Sequence, residues 1–258
     1  MKRTSRIFRT SVTSRPALLG AVVMLALTSA SVAAADAGPG PLGVTAAAAV
    51  TTHSVRVGAL FGANRAGSLT GGHFCTASVV HSPGRDLIVT AAHCVTGVDG
   101  ELVFVPGYRD GKAPYGVWKV GRRVLPDGWA RGQDEDSDLA FAHVDALRGR
   151  EVEDAVGGNR FTTGVATGAT AVTVTGYPDS RETPISCTNK PTPHSRTQQR
   201  IGCPKFTGGT SGSPWINGDG QVVGVLGGHE QGGSTADVSY SVVLGREAAR
   251  LYGNAIAP

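Results

Sequence analysis

The chain lacks an apolar segment long enough to cross a bilayer. The one candidate, Ala17–Leu27, spans 11 residues, whereas a transmembrane helix needs about 20. It follows five Lys and Arg residues and precedes the small residues of Thr28–Ala35. A basic start, a short apolar centre and an Ala-x-Ala end are typical of a secretory signal peptide. We therefore expect residues 1–35 to be a signal peptide, and the protein to be secreted, extracellular and without stable membrane association.

Beyond this leader the chain also lacks an excess of basic residues. The formal charge of the full sequence is +4, but the leader holds five of the 24 Lys and Arg residues and none of the 20 acidic residues. The remainder therefore has a formal charge of −1. Nucleic-acid-binding proteins usually present a basic patch, so we expect no nucleic-acid partner.

The four cysteines include no Cys-x-x-Cys pair, which disfavours a metal site. All four lie beyond the leader, and an even number of cysteines in an exported chain is typical of disulfides. Three pairings are open at this point. We expect two disulfides, no bound metal and no cofactor.

Helical periodicity is scarce after the leader, and it occurs only at the C-terminus, in Gly245–Tyr252. Residues 36–54, rich in Ala, Gly, Pro and Thr, favour a pro-segment or flexible arm. Residues 55–258 then form one domain with one substantial core. Turns separate ten short segments that predict strands of a sandwich or barrel: Val55–Phe61, Phe74–Val80, Leu87–Ala91, Leu102–Val105, Val117–Leu125, Leu139–Val144, Ala171–Gly176, Trp215–Ile216, Val222–Leu226 and Val238–Val243.

One loop could combine a nucleophile with hydrogen-bond donors. In Gly209–Pro214, glycines flank Ser211, and a serine in such a turn can present its hydroxyl together with backbone N–H groups. Gly, Ser and Thr are ordinary loop residues in a chain with 37 glycines. The hexapeptide therefore gains weight only from a suitable base and acid elsewhere.

A histidine and an aspartate stand at the ends of apolar segments. His93 follows the β-branched run Leu87–Thr90, and Asp138 immediately precedes Leu139–Phe141. Asp138 is the acid best placed to enter the interior, whereas residues 134–136 are expected to be solvated. The order His93, Asp138, Ser211, with spacings of 45 and 73 residues, is the order of chymotrypsin-type enzymes.

Three separate blocks, Thr90–Cys94, Asp138–Ala140 and Gly209–Pro214, resemble the signature motifs of trypsin-like serine proteases, especially the small secreted bacterial branch. The resemblance extends from about Val55 to the C-terminus. It implies an all-β fold of two six-stranded antiparallel barrels, with a short C-terminal helix and the site in the cleft between the barrels. It also implies a monomer that acts on protein or peptide substrates.

The resemblance assigns a role to each candidate. It implies a serine endopeptidase that forms an acyl-enzyme, with Ser211 as nucleophile, His93 as base and then acid, and Asp138 orienting the imidazole. The backbone N–H groups of Gly209 and Ser211 would form the oxyanion hole.

The resemblance also favours a Cys75–Cys94 disulfide, and with it Cys187–Cys203. It fails at Thr210, where animal zymogens carry an aspartate that pairs with the newly formed N-terminal amine. A neutral hydroxyl cannot form that ion pair. We therefore expect a heterogeneous N-terminus near Val55 to be tolerated.

Substrate specificity is ambiguous in the sequence. The pocket aspartate of trypsin corresponds to about Lys205, so the usual argument for cleavage after Arg or Lys fails. Asp237, from the opposite wall, would favour basic residues, whereas Lys205 would favour acidic residues or neutralise Asp237. Glutamyl endopeptidases carry a histidine where this chain has Leu226, although His229 lies three residues further on.

Other functions fit the sequence less well. The first alternative is a non-catalytic protease-fold binding protein. An α/β-hydrolase needs the order Ser, acid, His, which Asp219 and His229 nominally supply, but Ser213 interrupts the Gly-x-Ser-x-Gly pattern and only 47 residues follow the nucleophile. A subtilisin-like order beginning at Asp86 lacks the alternation of strands and helices that it needs.

Overall fold

The computed structural model describes residues 41–96 and 100–257. The predicted signal peptide, residues 1–35, lies outside the described residues, as do residues 36–40 of the predicted arm. Within the described ranges, no helix combines the length and apolar character required to span a bilayer.

Strands dominate the described residues, and each of the ten predicted segments overlaps an observed strand. The strands are β1 (Thr45–Ala47), β2 (Val57–Gly62), β3 (His73–Val80), β4 (Leu87–Thr90), β5 (Leu102–Pro106), β6 (Trp118–Val124), β7 (Ala140–Val144), β8 (Arg160–Phe161), β9 (Val172–Gly176), β10 (Ile185–Asn189), β11 (Thr192–Pro193), β12 (Gln198–Gly202), β13 (Pro214–Asn217), β14 (Gln221–Val225) and β15 (Val238–Val242).

Short helices and 3-10 turns connect these strands. The helices are α1 (Ala92–Thr96), α2 (Asp127–Gly132), α3 (Val152–Val156) and α4 (Arg246–Ile256), and the 3-10 turns are Ser54–Arg56, Ala63–Arg65, Glu135–Ser137 and His229–Gly232. Helix α4 is the predicted C-terminal helix, extended by one turn, and it buries Ala248, Leu251 and Ala255. Helices α1 to α3 are too short to produce a recognisable helical period.

The first half closes into a six-stranded barrel with the order β2-β3-β4-β7-β6-β5. The position of β4 in the fold explains why Leu87, Ile88 and Val89 form a continuous apolar run. Ile88 packs inside the barrel, whereas Leu87 and Val89 pack on the opposite face, in a second cluster that includes residues of β14, β15 and α4. Because both faces of the strand are buried, alternation between polar and apolar residues is absent.

The second half holds a six-stranded sheet, β1-β10-β9-β13-β14-β8, and a three-stranded sheet, β11-β12-β15. Both contribute to a core around Trp215, Ile201 and the Cys187–Cys203 disulfide. Among the described residues, one backbone–backbone hydrogen bond joins the segment after β14 to β15, from Gly227 N to Tyr240 O at 3.0 Å. Beyond it the chain turns away into the 3-10 turn His229–Gly232. The predicted all-β fold is confirmed, with the strands of the second half divided between two sheets.

The described part of the expected flexible arm, residues 41–54, is packed against the domain. Strand β1 pairs antiparallel with β10, placing Thr45 opposite Cys187. Ala48 is buried, its N–H donates to Pro184 O at 2.9 Å, and its carbonyl accepts from Arg109 Nη2 at 2.5 Å. The expected domain start near Val55 is therefore corrected: the folded unit begins upstream, because this segment supplies an edge strand. Removal of residues 36–54 during maturation stays a prediction.

Deleting the arm should destabilise the domain. We expect the free energy of unfolding of a protein that begins at Val55 to be lower by roughly 2 kcal/mol. Three cross-strand pairs of about 0.2–1 kcal/mol each disappear, together with the burial of Ala48. Its melting temperature should fall by roughly 4–8 °C relative to a matched protein that begins at Pro41. Equal melting temperatures in differential scanning calorimetry would contradict a structural role for the arm.

Candidate active site

Strand pairing in the first barrel brings His93 and Asp138 together. β4 runs antiparallel to β7, with Thr90 opposite Ala140. His93 follows the end of β4 inside α1, and Asp138 precedes the start of β7, directly after the turn Glu135–Ser137. The carboxyl end of one strand and the amino end of its antiparallel neighbour lie at the same edge of the sheet, so residues 45 positions apart become neighbours.

The Asp138 carboxylate is fully buried and accepts three hydrogen bonds. Its Oδ2 accepts from His93 Nδ1 at 2.7 Å and from Gly228 N at 2.8 Å, and its Oδ1 accepts from His93 N at 3.0 Å. A buried charge is tolerated only where such donors compensate for the lost water. The three bonds therefore fix the carboxylate in the plane needed to hold the imidazole.

This contact sets the proton distribution on the imidazole. A carboxylate only accepts, so the proton of neutral His93 resides on Nδ1 and the lone pair on Nε2. The side chain is 14% exposed, and Trp129 of α2 lies beside the ring at a centroid distance of 6.4 Å. His93 is thus a largely shielded base with one nitrogen available for proton transfer.

Two glycines with positive φ shape the loop that carries Ser211. Gly209 has φ +86°, and Gly212 has the same value. A Cβ on Gly212 would lie 2.0 Å from Thr76 O, so only glycine permits this approach to β3. Ser211 O accepts from Thr76 N at 2.7 Å. The loop of the second half is therefore docked directly on the first barrel, beside the strand that leads to His93.

The Ser211 hydroxyl is directed to a backbone carbonyl in this structure. Its Oγ donates to Gln231 O at 3.5 Å, a long contact, and among the described residues no hydrogen bond joins it to His93. Catalytic hydrogen bonds are often long or misaligned without substrate and tighten when it binds. The structure thus brings His93 and Asp138 together and leaves the other contact of the predicted triad, between Ser211 and His93, unformed.

The two expected oxyanion donors are not engaged elsewhere. Among the backbone hydrogen bonds of the described residues, neither Gly209 N nor Ser211 N donates one. Thr210 bonds locally, with its Oγ1 donating to Thr207 O at 2.6 Å. These two amides, on either side of the bonded amide of Thr210, are available for a developing negative charge.

Two backbone donors to Asp138, His93 N and Gly228 N, were not predicted from the sequence. Gly228 has φ +79° and ψ −128°, a conformation open only to glycine. A Cβ on its neighbour Gly227 would lie 2.8 Å from Asp138 Oδ2. The consecutive pair Gly227-Gly228 was the available signal, but its meaning depends on where Asp138 lies in the fold.

The three predicted specificity residues differ in their exposure and in their contacts. Lys205 and Asp237 are both exposed, and neither takes part in an ion pair among the described residues. His229 lies in a cluster of rings with His194 and Tyr240, at centroid distances of 4.8 and 4.9 Å, and its Nδ1 is 3.4 Å from Glu135 Oε2. A pocket built from these three side chains stays a prediction.

Both cysteine pairs form disulfides, Cys75–Cys94 and Cys187–Cys203, as the resemblance implied. The first joins β3 to α1, directly beside His93. Cys75, His93 and Cys94 lie close enough to suggest a metal site, but bridged sulfurs are not thiolate ligands. These residues therefore do not fit a metal centre.

A cavity of about 290 Å³ lies away from the candidate site, between the arm, the first barrel and the connection from β9 to β10. Its lining includes Val50, Val55, Tyr108, Tyr115 and Tyr177. None of the predicted catalytic residues borders it. It is therefore not part of the candidate active site.

Comparison with known families agrees with this geometry. A family model described as a trypsin-like peptidase domain matches residues 75–225, more than half of the chain. The chain belongs to this family. No curated protein matches the sequence of this trypsin-like protein significantly.

Solved structures match nearly the whole described region of the trypsin-like protein. Protease Anisep from Arthrobacter nicotinovorans is 27% identical, with a TM-score of 0.70 over 83% of this chain and 100% of that chain. The thermostable serine protease AL20 from an extremophilic microorganism is 27% identical, with a TM-score of 0.67 over 80% and 98%. Human heparin binding protein, 14% identical, shares the fold with a TM-score of 0.62 over 83% and 96%.

Replacing Gly209 by alanine should abolish most hydrolysis of a peptide substrate. A Cβ at this position would lie 2.5 Å from Asp179 N and 2.5 Å from Tyr177 O, so the loop must move. We expect kcat to fall on the order of 10²–10³-fold, the usual effect of losing an oxyanion donor.

Gly164→Ala is the matched control for backbone strain. Gly164 has φ +78°, and nothing lies within 4 Å of a Cβ there. Its substitution introduces a similar strained φ without a clash. Equal losses of kcat in the two variants would refute a specific role for the Gly209 loop.

Proposed function

We propose that the protein is a secreted serine endopeptidase that uses a Ser211–His93–Asp138 triad and an acyl-enzyme intermediate. The observation that carries the proposal is the 2.7 Å bond between His93 Nδ1 and the fully buried Asp138 carboxylate. The serine loop nearby leaves the amides of Gly209 and Ser211 without an internal hydrogen bond. The trypsin-like family, the protease Anisep and the serine protease AL20 among the structural matches support the same chemistry.

The reaction proceeds through two proton transfers at His93. Ser211 Oγ attacks the scissile carbonyl carbon while its proton passes to Nε2, and the carbonyl oxygen becomes an oxyanion. The oxyanion collapses, the C–N bond breaks, and Nε2–H protonates the leaving amine. Water then attacks the acyl ester with the same help from His93 and releases the acid and Ser211. Asp138 compensates the charge of the imidazolium in both steps.

The oxyanion is bound by the N–H groups of Gly209 and Ser211, each contributing roughly 3 kcal/mol in comparable enzymes. Before attack, the Ser211 hydroxyl must leave Gln231 O, to which it now donates. At 3.5 Å this bond is weak. A modest rotation of the serine side chain or a shift of the turn His229–Gly232 would release the hydroxyl toward Nε2.

Export fits the disulfides and the leader. The protein has two disulfide bonds, and disulfide bonds persist in oxidising compartments but are rare in the cytosol. The first 35 residues have the pattern of a signal peptide. Protein or peptide substrates outside the cell are the expected partners, without a cofactor.

A non-catalytic binding protein is the second candidate. Two observations favour it: the Ser211 hydroxyl is bonded to Gln231 O instead of His93, and a protein named for heparin binding has the same fold. The fold alone therefore does not decide between hydrolysis and binding. The intact His93–Asp138 pair favours hydrolysis.

A fluorophosphonate probe should label the secreted protein once, because an activated serine attacks phosphorus as it attacks a carbonyl. Intact mass should show one adduct on wild type and none on Ser211→Ala or His93→Ala. The exposed Ser234 provides the control, since Ser234→Ala should label like wild type. Failure of the folded, disulfide-bonded wild type to react would favour the binding protein, and the same spectra report the mature N-terminus.

The cleavage profile of a peptide library tests the specificity pocket. If Asp237 supplies the charge, wild type should prefer basic residues before the scissile bond, and Asp237→Ala should lose that preference by about tenfold or more. Lys205→Ala and His229→Ala serve as parallel variants, because a preference for acidic residues would instead depend on them. An unchanged Asp237→Ala profile would remove this residue from the pocket.

A further inference from the structure

Gln198 is a buried amide that contacts both segments around Asp138. It opens β12 and is 4% exposed. Its Nε2 donates to Glu135 O and to Asp136 Oδ1, each at 2.9 Å. Both acceptors belong to the 3-10 turn that ends at Asp138. Two good hydrogen bonds from a buried side chain hold this turn against the second half of the protein.

Glu135 O ties the amide directly to the acid. The same carbonyl that accepts from Gln198 Nε2 also accepts from Asp138 N, at 3.4 Å. A displacement of the turn would therefore move the backbone of Asp138 with it. The carboxylate could then no longer keep both of its bonds to His93.

The other end of the amide lies against the glycine segment. A Cβ on Gly228 would lie 2.5 Å from Gln198 Oε1, and this oxygen is 3.5 Å from His229 N. Gly228 N donates to Asp138 Oδ2. Glu135 fastens the same segment a second time, since its Oε1 accepts from Glu230 N at 3.0 Å.

We propose that Gln198 is a positioning residue that holds the turn before Asp138 and the segment at Gly228 in register, so that the Asp138 carboxylate stays aligned with His93. This inference rests on the proposed function. Gln198 touches neither a substrate nor the reacting atoms, and it acts through the geometry of the acid alone.

Gln198→Leu tests the proposal, because leucine is similar in size and makes no hydrogen bond. Small displacements of a catalytic group are costly, so we expect kcat to fall on the order of 10- to 100-fold. KM should stay within about twofold, since uniform binding of the substrate is untouched. Steady-state kinetics on the best library peptide measures both.

Gln199→Leu is the matched control. Gln199 is the next residue on β12, is equally buried at 5% exposure, and projects from the opposite face of the strand. Its Oε1 accepts from Thr167 Oγ1 at 3.1 Å, and its Nε2 donates to Val223 O at 3.2 Å. Both variants lack a buried amide, so the melting temperature should fall in both. The value of kcat should fall only in Gln198→Leu.

Asp136 provides a second pair of variants that should fold, because its side chain is exposed. Asp136→Asn keeps the Oδ1 acceptor for Gln198, whereas Asp136→Ala removes it. We expect kcat near the wild-type value for the first and a fall in the same direction as Gln198→Leu for the second. Equal kcat for the two Asp136 variants would count against the proposal, and this pair decides the question if Gln198→Leu does not fold.

A readout independent of activity is the ¹H NMR resonance of the His93 Nδ1 proton. Its short bond to Asp138 places this proton at low field. Gln198→Leu should shift the resonance upfield or broaden it, whereas Gln199→Leu should leave it unchanged. Identical kcat and identical resonances for the two leucine variants would overturn the proposal. An inactive wild type would instead contradict the proposed function, and the resonance comparison would still decide the role of Gln198.

Discussion

A buried negative charge is the constraint to which the rest of the site is fitted. The Asp138 carboxylate has no exposure to water, and an isolated charge in that position would cost several kcal/mol. His93 and Gly228 supply the three N–H groups that compensate it. The hydrogen bonds that compensate the buried carboxylate therefore also hold these donors in place.

The two halves of the fold meet at this carboxylate. Asp138 and His93 come from the first barrel, whereas Gly228 and the serine loop come from the second half. Glycines allow the close approach: a Cβ on Gly212 would collide with Thr76 of β3, and one on Gly227 would collide with Asp138. The position of the serine loop relative to His93 and Asp138 therefore depends on the packing between the two halves.

The contact between His93 and Asp138 could be predicted because both residues stand at the ends of apolar segments. His93 after β4 and Asp138 before β7 follow this rule, since a strand buried on both faces has a continuous apolar sequence. The serine loop was visible through its glycines. The disulfide pairing came from family resemblance, not from the spacing of the cysteines.

Other features have no local signal. β12 contains Gln198, Gln199 and Arg200, and its polar residues do not show the alternation of a half-buried strand. The two glutamines are buried because partners distant in sequence satisfy their amides. The donor at Gly228 is a backbone N–H group, so no side chain in the sequence indicates it. The arm was misjudged because three residues of an edge strand are too few to form a pattern.

The arm also has a consequence for solubility. β1 is the outermost strand of its sheet, and it covers the edge of β10. An uncovered edge presents unpaired N–H and C=O groups and is a template for pairing with another chain. A three-residue strand that follows Pro41 and a turn is a poor template itself. The arm thus replaces the five-residue edge of β10 by a three-residue edge, which opposes aggregation at high protein concentration.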